Sequence, residues 1–263
     1  FTKWILSDKY IAKRYAKLYG FKIPKTYQIC KYPHNINILE NCVIKPIDLC
    51  DSTGIYIIKN NKIININTDK NNIIKELQEL RSKIFSEHYM HKHMYNGLIP
   101  YSGYIVEELL LDNNNIPSDY KCYVFNGKIY FIAMTYNRNK NNGIQTFNSL
   151  WFNREWKPIY FDMIKKGYKF NNNIKKPYGF NKMIKLVENI GKKLKRHCRI
   201  DVYLINGEVY LGEFTFFTGA RLHTFLCNLI LGYIWINNKD NILYEDMNLK
   251  KIIPDFYINH KFI

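Results

Sequence analysis

The sequence lacks the features that assign a chain to the commonest membrane and enzyme classes. No apolar run reaches the roughly 20 residues of a transmembrane helix, and the most apolar stretch, residues 225–236, is shorter than that. A Gly-x-Ser-x-Gly nucleophile elbow, a Walker-type phosphate loop and a dinucleotide-binding glycine fingerprint are all missing. No secretory leader is recognisable, and because the chain starts at Phe1, it remains open that it is part of a longer protein. We therefore expect no membrane span and none of these three common enzyme folds.

Cysteine and histidine, the usual ligands of transition metals, form no metal-binding motif. The six cysteines are scattered without a Cys-x-x-Cys pair, so they are expected to be reduced thiols, as in a cytoplasmic protein. His88, His91 and His93 lie close together, yet only the neighbouring Glu87 adds a further candidate ligand. A structural or solvent-facing histidine cluster is therefore the favoured interpretation.

Acidic residues are scarce relative to basic ones, with 22 Asp and Glu against 39 Lys and Arg and a net charge of +17. Such a surplus would suit nucleic acid, because bound cations release the counterions of phosphates. However, the surplus is spread along the chain and accompanies many Asn, Ile and Tyr residues, whose codons, like those of Lys, are rich in A and T. No nucleic-acid-binding motif accompanies it. Nucleic acid is therefore not expected as the main partner, and an anionic small substrate explains the charge equally well.

The chain alternates helical and extended segments, and its apolar content of 47% is enough for a sizeable core. Capping residues and apolar periodicity predict helices at 8–18, 69–85 and 180–196, with a further helix after Arg221. Runs of β-branched and aromatic residues predict strands at 41–46, 55–58, 104–111, 120–125 and 128–134, the last two joined at Asn126-Gly127. Residues 137–148 are polar and are expected to form a mobile loop. Antiparallel hairpins with covering helices indicate an α+β protein.

The most informative stretch is another predicted hairpin, in which two apolar runs meet at Asn206-Gly207. Because side chains alternate along a strand, Arg199 shares a face with Asp201, and Glu213 shares a face with Thr215. The register across the turn decides whether these two faces coincide. If they do, two carboxylates, a hydroxyl and a guanidinium meet in one patch that can hold Mg²⁺ and an anion. The alternative is an ordinary salt-bridged hairpin with solvated acids.

Five sequence pieces then occur in a fixed order along most of the chain. They are DKY at 8–10 with Lys13, VIKPIDLCDSTGIYII from Val43, IVEELL from Ile105, DYKCYVFNGKIYFI from Asp119 and CRIDVYLINGEVYLGEFTFFTGARL from Cys198. In this order and spacing the chain resembles the ATP-grasp superfamily, and within it the TupA-like branch associated with teichuronopeptide biosynthesis.

The resemblance implies a fold and an activity. The implied fold is an ATP-grasp fold in which two α+β lobes clamp the nucleotide, with an N-terminal helical segment at 1–40, a small lobe with the phosphate loop at 41–106 and a large lobe with the metal site at 107–263. The implied activity is that of an ATP- and Mg²⁺-dependent, ADP-forming carboxylate–amine ligase. Its substrates would be an acidic sugar or glycan carboxylate and an amine donor, in the synthesis of a cell-surface or capsid-surface polysaccharide or its precursor.

The resemblance also implies roles for individual residues. It implies that the nucleotide is bound by Lys45, Ser52, Thr53, Gly54, Glu107, Glu108, Leu109, Leu110 and Asp119. Catalytic roles fall to Arg199, Lys121 and Arg221, and the metal ligands are Asp201, Glu213 and Thr215. The phosphate loop departs from the glycine-rich family pattern, since it keeps only Gly54. This departure keeps one alternative open, a nucleotide- or nucleic-acid-binding module without turnover. A second alternative, which uses the same phosphoryl-transfer chemistry, is a kinase of a sugar or glycan hydroxyl.

Overall fold

The fold is given by a computed structural model of the chain. It describes residues 4–49, 53–64, 68–91, 103–141, 144–159, 163–164, 174–216 and 223–237, with the backbone alone at 4–5, 83–91, 137–141 and 144–147. The helices are α1 Lys9–Leu18, α2 Lys70–His91, α3 Phe180–Leu194 and α4 Phe225–Asn237. The strands are β1 Thr26–Cys30, β2 Cys42–Pro46, β3 Tyr56–Lys59, β4 Lys62–Ile63, β5 Tyr104–Glu108, β6 Asp119–Phe125, β7 Lys128–Asn141, β8 Ile144–Asn153, β9 Cys198–Ile205 and β10 Glu208–Thr215. The predicted α+β class is confirmed.

The described residues divide into two compact units, and we call the first the Lys45 unit. It comprises Asp8–Ile11 and Pro24–Leu110. Its antiparallel sheet has the strand order β1-β5-β2-β3-β4. Helix α2 covers this sheet, and its Ile73 and Leu77 are buried in one core cluster with Tyr56 and other sheet residues.

A buried ion pair fixes the segment that follows β2 in the Lys45 unit. Arg81 of α2 donates from Nη1 to Asp48 Oδ2 at 2.8 Å and from Nη2 to Asp48 Oδ1 at 2.7 Å. The same guanidinium donates from Nε to the Tyr104 hydroxyl at 3.2 Å. This fork anchors the chain immediately before the predicted phosphate loop.

We call the second unit the Asp201 unit, which comprises residues 4–7, Ala12–Ile23 and the described residues from Leu111 to 237. Its antiparallel sheet has the order β10-β9-β6-β7-β8. Gly191 of α3 approaches Val124 of this sheet so closely that a Cβ at 191 would lie 2.7 Å from Val124 Cγ1. Cys227 of α4 is buried with Tyr123 instead. Because neighbouring strand residues point to opposite faces, α3 and α4 cover opposite faces of this sheet.

Both predicted Asn-Gly hairpins are confirmed. Asn126 and Gly127 have φ values of +46° and +78°, and Asn206 and Gly207 have values of +51° and +77°. Two successive residues with positive φ are typical of the tight turn whose twist matches that of antiparallel strands. Asn and Gly adopt this conformation at the least steric cost, which is why the two dipeptides identified the turns.

Some boundaries and one loop differ from the sequence prediction. Residues 137–148, expected to form a mobile loop, instead lie largely in the β7–β8 hairpin, whose strands pair as far as Asn141 and Ile144. The strands were not recognised in the sequence because these residues are polar, whereas the hydrogen bonds of strand pairing involve only the backbone and do not require an apolar face. Helix α3 ends at Leu194, since Lys195 adopts the left-handed conformation with φ +50°. Strand β1 was not predicted, and β5 ends at Glu108 rather than at residue 111.

Two further findings concern the expectations from composition. Cys30, Cys42, Cys122, Cys198 and Cys227 are free and buried, as expected for reduced thiols. No helix among the described residues combines the length and the hydropathy needed to cross a membrane.

Candidate active site

A bulge in the β9–β10 hairpin makes the two predicted faces coincide. Regular pairing continues from the turn to Leu211, which lies opposite Val202. The register then shifts by one residue, so Glu213, not Gly212, pairs with Asp201. Gly212 is the extra residue of the bulge. Without this shift, Glu213 would point to the opposite face of the sheet from Asp201, because side chains alternate.

Arg199 lies at the centre of the resulting cluster. Its Nε donates to Asp201 Oδ1 at 2.7 Å, and its Nη2 lies 2.9 Å from Asp201 Oδ2. The same Nη2 lies 3.0 Å from Glu213 Oε1 and 3.0 Å from Thr215 Oγ1. The Thr215 hydroxyl also donates to Glu213 Oε1 at 3.1 Å. The structure therefore brings together all four residues that the hairpin argument selected.

Lys121 extends this cluster onto the neighbouring strand β6, where it lies opposite Asp201. Its Nζ is 2.5 Å from Asp201 Oδ2 and 2.7 Å from Asp119 Oδ2. Asp119 shares the face of Lys121 and is buried. Asp119 and Lys121 are therefore not an isolated surface pair, because Asp119 is buried and Lys121, whose side chain is 21% exposed, also binds the buried Asp201.

Charge and burial set the ionisation of the cluster. Burial alone would raise the pKa of Asp201, but the adjacent Arg199 and Lys121 lower it to about 2. Asp201 is 4% exposed, whereas the Glu213 side chain is 35% exposed. Among the described side chains of this cluster, two cations face three carboxylates, which is a formal excess of one negative charge, and Glu213 is the most exposed of the three acids.

The donor set fits the magnesium ion that the resemblance implies. Asp201, Glu213 and Thr215 offer only oxygen atoms, which are the ligands that Mg²⁺ prefers. Among the described residues, no group of three or more His, Cys, Asp or Glu side chains is placed to hold a metal. Two carboxylates are nevertheless sufficient when phosphate oxygens and water complete the shell. The excess negative charge of the cluster also favours a cation.

The Lys45 unit holds a second group of predicted residues. Lys45 forms an ion pair with Glu107, with exposed side-chain fractions of 19% and 1%. Glu108 accepts a hydrogen bond from the Lys25 amide at its Oε2, and its own amide donates to the Lys25 carbonyl. The Leu109 amide donates to the Asn41 carbonyl at 3.2 Å. Both of these amides are therefore already engaged within the unit, so adenine would have to be recognised through other main-chain groups.

Several predicted positions have a packing role or lie outside the description. Gly54 has a φ of +68°, and a Cβ there would lie 2.8 Å from Leu80 Cδ2 and 2.9 Å from Pro46 Cγ. Packing therefore accounts for this glycine, and Thr53 beside it is exposed. Leu110, which follows β5, is partly buried. Ser52, Arg221, His93 and the side chains of His88 and His91 lie outside the described residues.

Two residues beside the cluster were not singled out from the sequence. Tyr123 follows Lys121 by two positions on β6 and therefore shares its face, so strand alternation could have identified it. Its hydroxyl lies 3.0 Å from His223 Nε2. No sequence signal connects His223 with these strands, because it comes from a separate segment before α4.

An open groove of about 490 Å³ lies away from these residues. It runs along α3, and its lining includes Arg154, Lys185 and Glu188. Arg154 forms a bidentate ion pair with Glu188, with Nε 2.7 Å from Oε1 and Nη2 2.8 Å from Oε2. None of the predicted site residues that the structure describes lines this groove.

A buried histidine near the cluster, His197, is expected to make the unfolding free energy depend on pH. His197 Nδ1 lies 3.0 Å from the Val124 carbonyl oxygen, and its ring stacks on Phe125 with centroids 4.2 Å apart. Burial lowers the pKa of His197 from 6.5 to about 4. The unfolded chain therefore takes up this proton first as the pH falls. We expect His197 to leave the unfolding free energy unchanged above pH 6.5. Between pH 6.5 and about pH 4 the unfolding free energy should fall progressively, by about 3 kcal/mol in total.

Chemical denaturation between pH 4.5 and 7.5, with and without the change His197→Asn, checks this expectation. The Asn amide can replace the Nδ1 donor to Val124 but does not titrate in this range. The variant should thus lose less stability on acidification than the native protein. If the unfolding free energies of the two proteins fall in parallel as the pH is lowered, His197 is not the group responsible for the loss of stability.

Comparison with known proteins places the chain in a family. Residues 1–230 match the family described as TupA-like ATPgrasp. No curated protein matches the sequence. The ATP complex of D-alanine–D-alanine ligase from Bacillus anthracis is 15% identical, with a TM-score of 0.49, 89% of this chain covered and 66% of that one. The β-γ-ATP complex of biotin carboxylase from Campylobacter jejuni is 8% identical, with a TM-score of 0.49 and coverages of 91% and 48%.

L-amino acid ligase from Bacillus licheniformis is also similar, at 12% identity and a TM-score of 0.42, with 80% of this chain and 43% of that chain covered. The chain thus spans at most about two thirds of the length of these three proteins. Because their identities and TM-scores are low, the assignment rests on the family match, which covers most of the sequence. The expected ATP-grasp fold is thereby confirmed, and the chain belongs to the TupA-like ATP-grasp family.

Proposed function

We propose that the protein is an ADP-forming ligase that joins a carboxylate to an amine. In the first half-reaction, a carboxylate oxygen attacks the γ-phosphorus of ATP, and the bond to the β-phosphate oxygen breaks, which gives an acylphosphate and ADP. In the second, the amine attacks the acyl carbon, phosphate leaves, and the amine nitrogen loses a proton. The single observation that supports this proposal is the cluster of Arg199, Lys121, Asp201, Glu213 and Thr215 on one face of the β10-β9-β6 sheet.

The side chains of this cluster suit phosphoryl transfer. Arg199 presents a fixed, buried guanidinium, which is the kind of preorganised cation that stabilises charge developing on a transferred phosphoryl group. Its bonds to Asp201 and Glu213 fix its orientation before any ligand arrives. Lys121 is a compact cation and can bind a phosphate or the carboxylate substrate without demanding one geometry.

Asp201, Glu213 and Thr215 are proposed to hold Mg²⁺. The ion, when bound, offsets the negative charge of the phosphates. Glu213 is the accessible carboxylate, and Asp201 stays ionised because two cations adjoin it. In the Lys45 unit, Lys45 is proposed to contact phosphate, with Glu107 holding its ammonium group in place. The proposal for Lys45 rests on the family resemblance and on this ion pair.

The proposed substrates are an acidic sugar or glycan carboxylate and an amine, in the synthesis of a surface polysaccharide or its precursor. This part of the proposal rests on the TupA-like family and on the net charge of +17, which favours anionic substrates.

Calorimetric titration with ATP, with and without Mg²⁺, tests the nucleotide site. We expect Mg²⁺-dependent binding to the native chain and an affinity at least about tenfold lower in the double variant Asp201→Asn, Glu213→Gln. Glu208→Gln is the matched control, because Glu208 lies on the same strand β10 but pairs with Lys182 away from the cluster. This control should bind as the native chain does.

A product assay then separates ligase from kinase. Mixtures of acidic sugars and amines should release ADP and phosphate together if the protein is a ligase, whereas a kinase releases ADP without phosphate. A folded native chain that binds no ATP, or a double variant that binds as tightly as the native chain, would rule out the proposed function.

A further inference from the structure

Helix α4 has two apolar faces, of which one is buried and the other is exposed. The buried face consists of Cys227, Leu231 and Ile234, which share a core cluster with Tyr123 and Phe125 of β6. Five of the other side chains of α4 are large, apolar and exposed, namely those of Phe225, Leu226, Leu229, Tyr233 and Ile236. The helix contains no charged residue. It therefore lacks the charged outer face that is usual for a helix on the surface of a globular protein.

The exposed apolar side chains of α4 form one continuous stripe. Phe225, Leu229 and Ile236 are spaced so that they project from the side of the helix opposite the buried face. Tyr233 adjoins this stripe and is 71% exposed, and Phe225 is 78% exposed. A contiguous apolar patch of this kind is typical of a surface that binds a protein or a membrane.

Basic residues lie beside the C-terminal half of α4. The Trp235 ring contacts the ring of His197, with centroids 5.4 Å apart, and the two residues that precede this histidine are both basic. The Lys128 ammonium group lies 5.5 Å from the centroid of the Tyr130 ring, and Tyr130 packs against the same core cluster as the buried face of α4. We call these three cations the basic flank of α4: Lys128, Lys195 and Arg196.

We infer that α4 and its basic flank bind the surface of an anionic lipid bilayer, with the helix lying in the plane of that surface. The exposed apolar stripe enters the region between headgroups and acyl chains, and the basic flank meets the anionic headgroups. Tyr233 and Trp235 suit this region, because tyrosine and tryptophan have an apolar ring with a polar tip and are enriched there. This inference goes beyond the proposed function and does not depend on it.

The charge of the chain favours lipid over a second copy as the occupant of this face. Each copy has the same basic flank beside α4 and a net charge of +17, so two copies that meet through α4 repel each other. Lysine is also depleted in protein–protein interfaces, whereas lysine next to an apolar helix face is typical of binding to anionic lipid.

The bound bilayer would lie on the active-site side of the sheet. Helix α4 covers the face on which Tyr123 lies, and Tyr123 shares that face with Lys121. Lys121 in turn contacts Asp201 of the predicted metal site.

Sedimentation of the full chain with phosphatidylcholine vesicles, with and without phosphatidylglycerol, tests the inference. The native chain should bind vesicles that contain phosphatidylglycerol at least about tenfold more tightly than pure phosphatidylcholine. The double variant Leu229→Gln, Ile236→Gln should bind these anionic vesicles at least about tenfold more weakly, because it loses apolar area in the stripe. Its stability to urea should be native, since both side chains are exposed. Leu18→Gln with Ile116→Gln is the matched control, because these are exposed apolar residues of the same unit outside α4.

A second pair of variants tests the contribution of the basic flank. Lys128→Gln with Lys195→Asn should weaken binding to anionic vesicles by about tenfold or more. Asparagine is chosen at 195 because it tolerates the left-handed backbone conformation found there. Lys176→Gln with Lys185→Gln is the matched control, since it also removes two lysines, both from the groove along α3. Lys176, like Lys128, lies over an aromatic ring. This control should bind as the native chain does.

Tryptophan fluorescence gives a readout of the bound orientation. Emission should shift to shorter wavelength on binding, and Trp235→Phe should lose most of this shift while it still binds vesicles. Failure of the native chain to bind anionic vesicles, undiminished binding by Leu229→Gln, Ile236→Gln, or equal weakening by the two pairs of lysine changes overturns the inference. A native dimer that Leu229→Gln, Ile236→Gln converts into a monomer also overturns it, because the face would then belong to a second copy.

Discussion

Replacing Arg199 with methionine should lower the unfolding free energy of the Asp201 unit by about 3–5 kcal/mol. The Arg199 side chain is 14% exposed, and its guanidinium is the shared partner of Asp201, Glu213 and Thr215. Its removal leaves a buried carboxylate with one cation fewer, and a buried charge that loses its partner costs far more than the pair contributed. Arg199→Lys keeps the charge but cannot reproduce the planar fork, so we expect a smaller loss.

Arg154→Met is the matched control for this change. Like Arg199 with Asp201, Arg154 forms a bidentate ion pair with one carboxylate, that of Glu188. Its side chain, however, is 39% exposed. Exposed ion pairs contribute about 1 kcal/mol or less, so this variant should be nearly as stable as the native protein. Urea denaturation followed by tryptophan fluorescence reports on the correct unit, because all four tryptophans belong to it. Equal losses in the two variants would show that burial does not strengthen the Arg199 contacts.

The same substitution should also suppress turnover. If the guanidinium stabilises the transferred phosphoryl group, its loss should slow ADP formation by at least about a hundredfold. Stability and activity are separable here, since the assay can be run at a temperature where the variant remains folded by fluorescence. Arg154→Met should retain the native rate.

Local signals in the sequence were enough to predict the two Asn-Gly hairpins and which side chains share a face on β9 and on β10. Asn126-Gly127 and Asn206-Gly207 identified two turns because few other residues adopt successive positive φ angles cheaply. Alternation along β9 put Arg199 and Asp201 on one face, and alternation along β10 did the same for Glu213 and Thr215. Each of these inferences uses residues close together in the chain, where geometry leaves few choices.

Features that depend on residues far apart in the sequence could not be predicted from such local patterns. The sequence left the register of the β9–β10 hairpin open, because a bulge adds one residue without changing the strand pattern. The contact between Tyr123 and His223 joins positions 100 residues apart, so no local pattern reveals it. The β7–β8 hairpin was mistaken for a loop because its residues between 137 and 148 are mostly polar.

Gly212→Ala should disrupt the cluster of Arg199, Asp201 and Glu213 without changing any of its side chains. A Cβ at 212 would lie 2.9 Å from the Asp201 carbonyl oxygen and 3.3 Å from its carbonyl carbon. Backbone atoms of a central strand cannot withdraw as a flexible side chain can, so the variant should lose about 1–3 kcal/mol of unfolding free energy. If the clash is relieved by loss of the bulge, the register of β10 shifts by one residue and the Glu213 side chain points to the other face of the sheet.

The expected consequence is a loss of Mg²⁺-dependent ATP binding of at least about tenfold, comparable to that in the Asp201→Asn, Glu213→Gln variant. Gly232→Ala is the matched control in the same unit, because a Cβ at 232 would have no atom of the described residues within 4 Å. Since Gly232 lies inside α4, alanine there should be neutral or should raise stability by up to about 1 kcal/mol. A Gly212→Ala protein with native stability and native Mg·ATP affinity would mean that the β9–β10 strands tolerate a side chain at the bulge. The alignment of Asp201 with Glu213 would then depend on their shared contact with Arg199, and no longer on the glycine.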